Sequence, residues 1–160
     1  MEKYFSPWFY WNDRNQYCGI KFPGVYVVAE SKDDISETEF SFREEIIYVG
    51  MSNAVKGLEG RLKSFDNTIQ FLDKPPQHGG ADRVRYKHQC YKNLVKNLYV
   101  SLRHFRCFPA NETAKDLRTM GKVVNAEYQC MAQCVEELGA LPEFNRKKES
   151  AKYSRSYKQG

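Results

Sequence analysis

A chain of 160 residues with 41% hydrophobic and 14% aromatic residues is long and apolar enough to fold around a core, which excludes an intrinsically disordered protein. The formal net charge of +5 permits a polyanionic partner but is too small to establish one. No apolar stretch is long enough to span a membrane, the N-terminus lacks a secretory signal pattern, and the five cysteines are an odd number. These features predict a cytoplasmic protein with reduced thiols and no membrane partner.

The first 23 residues are predicted to form an aromatic N-terminal arm, bracketed by Pro7 and Pro23. Its aromatic residues are Tyr4, Phe5, Trp8, Phe9, Tyr10 and Trp11. Because aromatic side chains are usually buried, we expect the arm to pack on the core. A contact surface for a second copy or for nucleic acid is the alternative.

Two short strands are predicted next, at 24–29 and 45–50, joined by a polar and mostly acidic loop. Each strand carries one tyrosine, Tyr26 in the first and Tyr48 in the second. A helix at about 54–65 follows and carries Arg61. Two tyrosines and an arginine on adjoining elements indicate the centre of an active site.

Basic and aromatic residues are interleaved in the segment 82–92, which follows a loop rich in proline and glycine. The cations considered as DNA contacts are Arg83, Arg85, Lys87 and Lys92. This composition suits contacts with phosphates and stacking on bases. It suits an ordinary solvated surface equally well, and both interpretations remain open.

A third strand is predicted at 97–108, and a helix from Asn111 to about Leu138, either continuous or broken near Gly121. One face of its second part is apolar at every position but one. That face comprises Met120, Val124, Glu127, Met131, Cys134 and Leu138. A carboxylate there must be compensated by an arginine, by partial solvation or by a metal ion.

The order of these elements resembles that of the GIY-YIG nuclease family. The matching residues are Gly24-Val25-Tyr26, Tyr48-Val49-Gly50, Arg61, Glu127 and Pro142-Glu143-Phe144-Asn145. Either tripeptide alone is a weak signal, but the ordered set is specific and covers roughly residues 22–146. The resemblance implies an α+β fold with a small three-stranded antiparallel sheet flanked by helices. The nuclease domain would span residues 24–145, and residues 146–160 would form a flexible basic tail.

The resemblance also implies an activity, a metal-dependent endonuclease that hydrolyses phosphodiester bonds of double-stranded DNA with Mg²⁺ or Mn²⁺. Glu127 would bind the metal ion, and Arg61 would hold the scissile phosphate. Tyr26 would help to activate the attacking water, and Tyr48 would position the water or share that role. Asn145 would brace the site through hydrogen bonds.

This sequence departs from the family pattern at two places near the motifs. Met51 follows the second tripeptide where some members have lysine, and Lys87 is the candidate for the missing cation. Phe65 stands one turn after Arg61, where many members have tyrosine or histidine. His88 is the residue predicted to replace that polar group. Glu137 is the fallback if Glu127 is not the metal ligand.

Because the chain is compact and has no room for a separate DNA-binding region, it most resembles the stand-alone type II restriction endonucleases of this family. Such enzymes cut at specific sites, and we expect a homodimer or higher homo-oligomer because one active site cuts one strand. A structure-specific or mobile-element nuclease, or a non-catalytic nucleic-acid-binding module on the same fold, are the alternatives. A zinc or thiol protein is a third, although the chain has no CxxC pair and free cysteines are usually buried.

Overall fold

The computed structural model describes residues 1–148 and 151–156. Within them, one antiparallel sheet has four strands in the order β1-β4-β2-β3. The strands are β1 Phe9–Tyr10, β2 Gly24–Glu30, β3 Ile46–Ser52 and β4 Leu98–His104. The helices are α1 Gly57–Ile69, α2 Gly79–Lys87, α3 Tyr91–Leu94, α4 Ala114–Leu138 and α5 Tyr153–Ser156.

The α+β class with an antiparallel sheet is confirmed, but the prediction of three strands was wrong. The N-terminal arm adds β1, in which Phe9 pairs with Val100 and Tyr10 with Tyr99 of β4. The arm also packs on the core, as expected, because Phe5, Trp8 and Trp11 are buried. No helix in the described part of the chain combines the length and the apolar character needed to cross a bilayer.

Strand β2 lies at the centre of the sheet, pairs with both β3 and β4, and is buried at six of its seven residues. Since successive side chains point to opposite faces, β2 contributes to two cores. Tyr26 and Val28 belong to the core formed with α1 and α2. Val25 and Val27 belong to the core formed with α4. Strand β3 is the edge strand on this side of the sheet.

Helix α4 differs from the prediction at its start and in its buried face. It begins after Thr113, whose hydroxyl caps the Asp116 amide, and it continues through Gly121 without a break. Its buried apolar residues are Val123, Ala126, Cys130 and Cys134. The predicted face is rotated towards solvent, since Val124 is 40% exposed and Glu127 lies half-buried at the margin.

Part of the predicted C-terminal tail packs against α2. In α5, the Ser154 hydroxyl donates a hydrogen bond to the Asp82 carboxylate over 2.5 Å. The residues of α5 are therefore held against the domain. The predicted tail residues 149–150 and 157–160 lie outside the described residues.

Candidate active site

Tyr26 and Tyr48 lie side by side on the sheet face that α1 covers, with their ring centroids 6.1 Å apart. The strand register places Gly50 directly opposite Tyr26. A Cβ atom at Gly50 would lie 2.5 Å from the Tyr26 Oη atom and 2.7 Å from the Tyr48 ring. Glycine therefore leaves the space that both rings fill. Tyr26 is fully enclosed, whereas Tyr48 is partly exposed.

His78 lies beside the tyrosine pair, and sequence reasoning missed it. Its side chain is fully buried, with Nε2 2.7 Å from Tyr26 Oη. Its Nδ1 accepts a hydrogen bond from the Ala81 amide over 3.1 Å and so caps the start of α2. Because Nδ1 is an acceptor, the hydrogen of the neutral ring lies on Nε2, and His78 donates to Tyr26.

The neutral state of His78 follows from its surroundings. Burial, followed by the charges of Arg61 and Arg83, lowers the pKa of His78 to about 3. The imidazolium is therefore not formed near neutral pH, and His78 acts as a hydrogen-bond donor to Tyr26 rather than as an acid. The two glycines that follow His78 indicate a close backbone approach but not where the His78 ring points. A Cβ at Gly80 would lie 2.5 Å from the Tyr48 ring carbon Cζ.

Phe65 packs against both His78 and Tyr48. Its ring lies 4.9 Å from the His78 ring and 5.9 Å from the Tyr48 ring, measured between centroids. The imidazole of His78 therefore covers the aromatic side chain that stands one turn after Arg61. His88 lies elsewhere, with its Nε2 3.1 Å from a carboxylate oxygen of Glu30. The histidine next to the tyrosine pair is therefore His78, whereas the predicted His88 contacts Glu30.

Arg61 reaches the site from α1. Its charge lowers the pKa of Tyr26, Tyr48 and Glu127, in each case against the dominant effect of burial, which raises that pKa. Within the described residues, Arg61 forms no salt bridge. A guanidinium group without a carboxylate partner, next to the Tyr26 hydroxyl, is suited to bind an anion such as a phosphate.

Glu127 approaches Arg61 from α4, on the other side of the sheet. Burial raises the pKa of its carboxyl group, while the charges of Lys147 and Arg61 lower it. Residues 1–148 and 151–156 provide no hydrogen-bond or salt-bridge partner for this carboxylate. Pairing with an arginine therefore does not account for it, and partial solvation and metal binding remain.

A single carboxylate can serve as the protein ligand of Mg²⁺. The described residues contain no group of three or more histidine, cysteine, aspartate or glutamate side chains that could hold a metal ion. Mg²⁺ keeps several waters and is commonly bound by one or two carboxylates together with substrate phosphates. One carboxylate near an arginine, as Glu127 is near Arg61, is compatible with that chemistry but does not fit a structural zinc site.

Asn145 holds the strand that carries Tyr48. Its Oδ1 accepts a hydrogen bond from the Val49 amide over 2.8 Å, and its Nδ2 donates to the Val49 carbonyl over 2.9 Å. Both backbone groups of the residue after Tyr48 are therefore fixed by one side chain. Asn145 is placed to orient Tyr48 without touching a substrate itself.

Two of the four cations predicted to contact DNA are buried in α2 instead. Arg83 donates to the Phe144 carbonyl, and Arg85 pairs with Asp82 and Asp73 while its guanidinium lies 4.8 Å from the centroids of two aromatic rings. Both side chains serve the fold, which corrects their assignment to a DNA surface. Lys87 and Lys92 are exposed, and Lys87 pairs with Glu143 over 2.9 Å.

No protein family, no curated protein and no solved structure matched this chain.

Proposed function

We propose that the protein is a metal-dependent DNA endonuclease with a restriction-like, site-specific activity. The observation that supports this most is that Tyr26, Tyr48 and Glu127 all lie close enough to Arg61 for its charge to lower the pKa of each of them. These residues come from two strands and two helices that lie on opposite faces of the sheet. Asn145, the last residue of the motif, braces the strand between them.

Arg61 binds the scissile phosphate in this proposal. Its planar guanidinium can donate two parallel hydrogen bonds to phosphate oxygens, which fixes the phosphate next to Tyr48. The same charge stabilises the additional negative charge that develops on the phosphate during hydrolysis. A divalent ion held by Glu127 would stabilise charge on the phosphate and on the leaving oxygen.

Tyr48 is the tyrosine that meets the attacking water, because Tyr26 is fully enclosed. The Tyr26 hydroxyl cannot pass a proton inward, since the Nε2 atom of His78 already carries a hydrogen and its Nδ1 atom is occupied. Tyr48 therefore accepts a proton from water only in its phenolate form. Burial raises the pKa of Tyr48, while the charge of Arg61 and a hydrogen bond from Tyr26 lower it and favour that form.

DNA cleavage with and without metal tests the proposal. Supercoiled plasmid and long linear DNA are incubated with Mg²⁺, Mn²⁺ or EDTA, using the wild type, Glu127→Ala and Glu137→Ala. Glu137 is the matched control because it lies exposed on the same helix and bonds Gln133. We expect discrete metal-dependent fragments with the wild type and Glu137→Ala, and none with Glu127→Ala.

Other results would redirect the proposal. Smeared products or nicks alone would retain a nuclease but contradict site-specific cleavage. Binding without cleavage under every condition would indicate the non-catalytic nucleic-acid-binding module. Loss of cleavage in Glu137→Ala instead of Glu127→Ala would indicate that Glu137 is the metal ligand.

A further inference from the structure

The outer side of α4 carries a line of exposed apolar residues. Leu117, Val124, Tyr128 and Val135 are 54%, 40%, 65% and 44% exposed. They follow one another at spacings of seven, four and seven residues, which places them on one helical stripe. The opposite side of α4 already packs on the sheet through Val123 and Cys130. Four large apolar side chains aligned in solvent are unusual for a monomer and indicate a contact surface.

This stripe is symmetric about Ala126. Leu117 lies nine residues before it and Val135 nine residues after, while Val124 and Tyr128 lie two residues on either side. Two copies of α4 packed antiparallel around a two-fold axis at this point would therefore match the stripe with itself. Leu117 would meet Val135 of the partner subunit, and Val124 would meet Tyr128 of the partner subunit.

The charges beside the stripe favour the same antiparallel arrangement. Arg118 and Glu136 are eighteen residues apart, five complete helical turns, so they lie on one flank of the stripe near its two ends. Two-fold symmetry brings that flank against the same flank of the partner in the reverse direction. Arg118 would then face Glu136 of the partner subunit at both ends of the interface, whereas parallel helices would juxtapose like charges.

We propose that a second copy of this chain covers the stripe, forming a two-fold homodimer through antiparallel α4 helices. A single pair of helices buries less than the roughly 800 Å² per partner of a standard interface, so we expect a dissociation constant in about the micromolar range. The inference about the interface stands independently of the nuclease activity, because it uses none of the candidate catalytic residues.

A consequence for DNA cleavage rests on the proposed function. Glu127 is one residue from the symmetry centre and lies on the flank opposite Arg118. In the dimer, the two Glu127 carboxylates would lie on the same face of the helix pair and would be related to each other by the two-fold axis. Two such sites would face a single duplex, whose two strands are related by a two-fold axis as well.

Sedimentation velocity without DNA tests the interface over protein concentrations from about 1 to about 100 µM. We expect a concentration-dependent dimer for the wild type. The double substitution Val124→Glu/Tyr128→Glu should weaken dimerisation about 100-fold or more, because four carboxylates would meet at the two-fold axis. Gln89→Glu, an exposed substitution outside α4, is the matched control and should dimerise like the wild type.

Charge reversal distinguishes the predicted partner from a general effect of added charge. Arg118→Glu and Glu136→Arg should each weaken the dimer about tenfold, and the combination of both should restore it. A wild type that stays monomeric at every concentration, or a dimer that tolerates Val124→Glu/Tyr128→Glu, would overturn the interface. A dimer with these properties that cuts no DNA would uphold the interface and remove the proposed function.

Discussion

The Nε2 atom of His78 lies 2.7 Å from the Tyr26 hydroxyl, while the Nδ1 atom of the same ring caps helix α2. One imidazole thereby connects the start of a helix to the central strand of the sheet. Because its pKa is lowered to about 3, the ring stays neutral and keeps both hydrogen bonds across the physiological pH range. The orientation of Tyr26 is thus fixed by a residue that also organises the fold.

Two substitutions of His78 should separate these two roles. His78→Asn retains an oxygen acceptor for the Ala81 amide but is too short to reach Tyr26. We expect it to reduce cleavage about 10- to 100-fold, as is usual for residues that orient a site. His78→Gln can place its amide nitrogen near Tyr26 but gives up the cap, which costs about 1 kcal/mol of stability. Denaturant unfolding and initial cleavage rates would measure both effects.

The comparison between the two His78 variants is the informative result. If His78→Asn and His78→Gln lose activity only in proportion to their loss of stability, the imidazole is structural and does not position Tyr26.

Gly50→Ala should disturb the tyrosine pair directly. The added methyl group would lie 2.5 Å from Tyr26 Oη and 2.7 Å from the Tyr48 ring, so at least one ring must move. We expect a loss of about 1–3 kcal/mol in stability together with loss of cleavage. Gly121→Ala is the control, since its Cβ would meet no atom within 4 Å, and alanine should stabilise helix α4 by up to about 1 kcal/mol. Thermal unfolding would test both.

Glu127→Gln should stabilise the protein while abolishing its activity. Burial raises the folded-state pKa of Glu127 above its unfolded value, so its contribution to stability is lost as the pH rises through that pKa. Near neutral pH the ionised carboxylate therefore costs stability, and glutamine should recover about 1 kcal/mol. The gain should disappear near pH 4, where the wild-type carboxyl is largely protonated. Melting curves at both pH values, and a Mg²⁺-induced rise only in the wild type, would check this.

Cleavage should rise with pH if Tyr48 acts as the base. Burial raises the pKa of Tyr48 above its usual value near 10, so the phenolate fraction grows up to about tenfold per pH unit below that pKa. We expect the rate to climb from pH 7 to about pH 9 in the wild type and to be lower and flatter in Tyr48→Phe. A similar slope in both proteins would assign the pH dependence to another group.

Arg85 and Lys92 should behave differently although both come from the basic segment. Arg85→Ala removes the ion-pair partner of the Asp82 and Asp73 carboxylates and should cost about 3–5 kcal/mol of stability. Lys92→Ala should change stability by less than about 0.5 kcal/mol. If Lys92 contacts a phosphate, the slope of log affinity against log salt should fall by about 1, which fluorescence anisotropy with duplex DNA can measure.

Local patterns predicted the strands of the tyrosine pair well, because runs of β-branched and aromatic residues favour strands with little dependence on distant contacts. Tyr26 and Tyr48 could be placed on β2 and β3 from residue type alone. The strand β1 could not, since two residues carry no periodicity, and their pairing with β4 is decided by burial of the surrounding aromatic side chains.

The candidate site was harder to predict where a side chain contacts residues that are distant in the sequence. His78 lies in a loop whose prolines and glycines indicate a turn, and nothing nearby shows that its ring faces Tyr26, 52 residues away. Arg83 and Arg85 have the composition of a DNA surface, yet their burial follows from partners on α1 and near the C-terminus. Glu127 could be singled out because one charge among apolar residues is visible in the sequence, and its role as a metal ligand stays a prediction.

Asn145 gives strand β3, at Val49, the hydrogen bonds that a neighbouring fifth strand would otherwise form. An edge strand presents outward-facing peptide groups that can recruit strands from other molecules and lead to aggregation. The carboxamide of Asn145 occupies the Val49 amide and carbonyl in the way that a neighbouring peptide unit would. A residue expected to serve the chemistry therefore also covers part of the open edge of the sheet, at Val49, and its loss would leave those two peptide groups free to pair with a strand of another molecule.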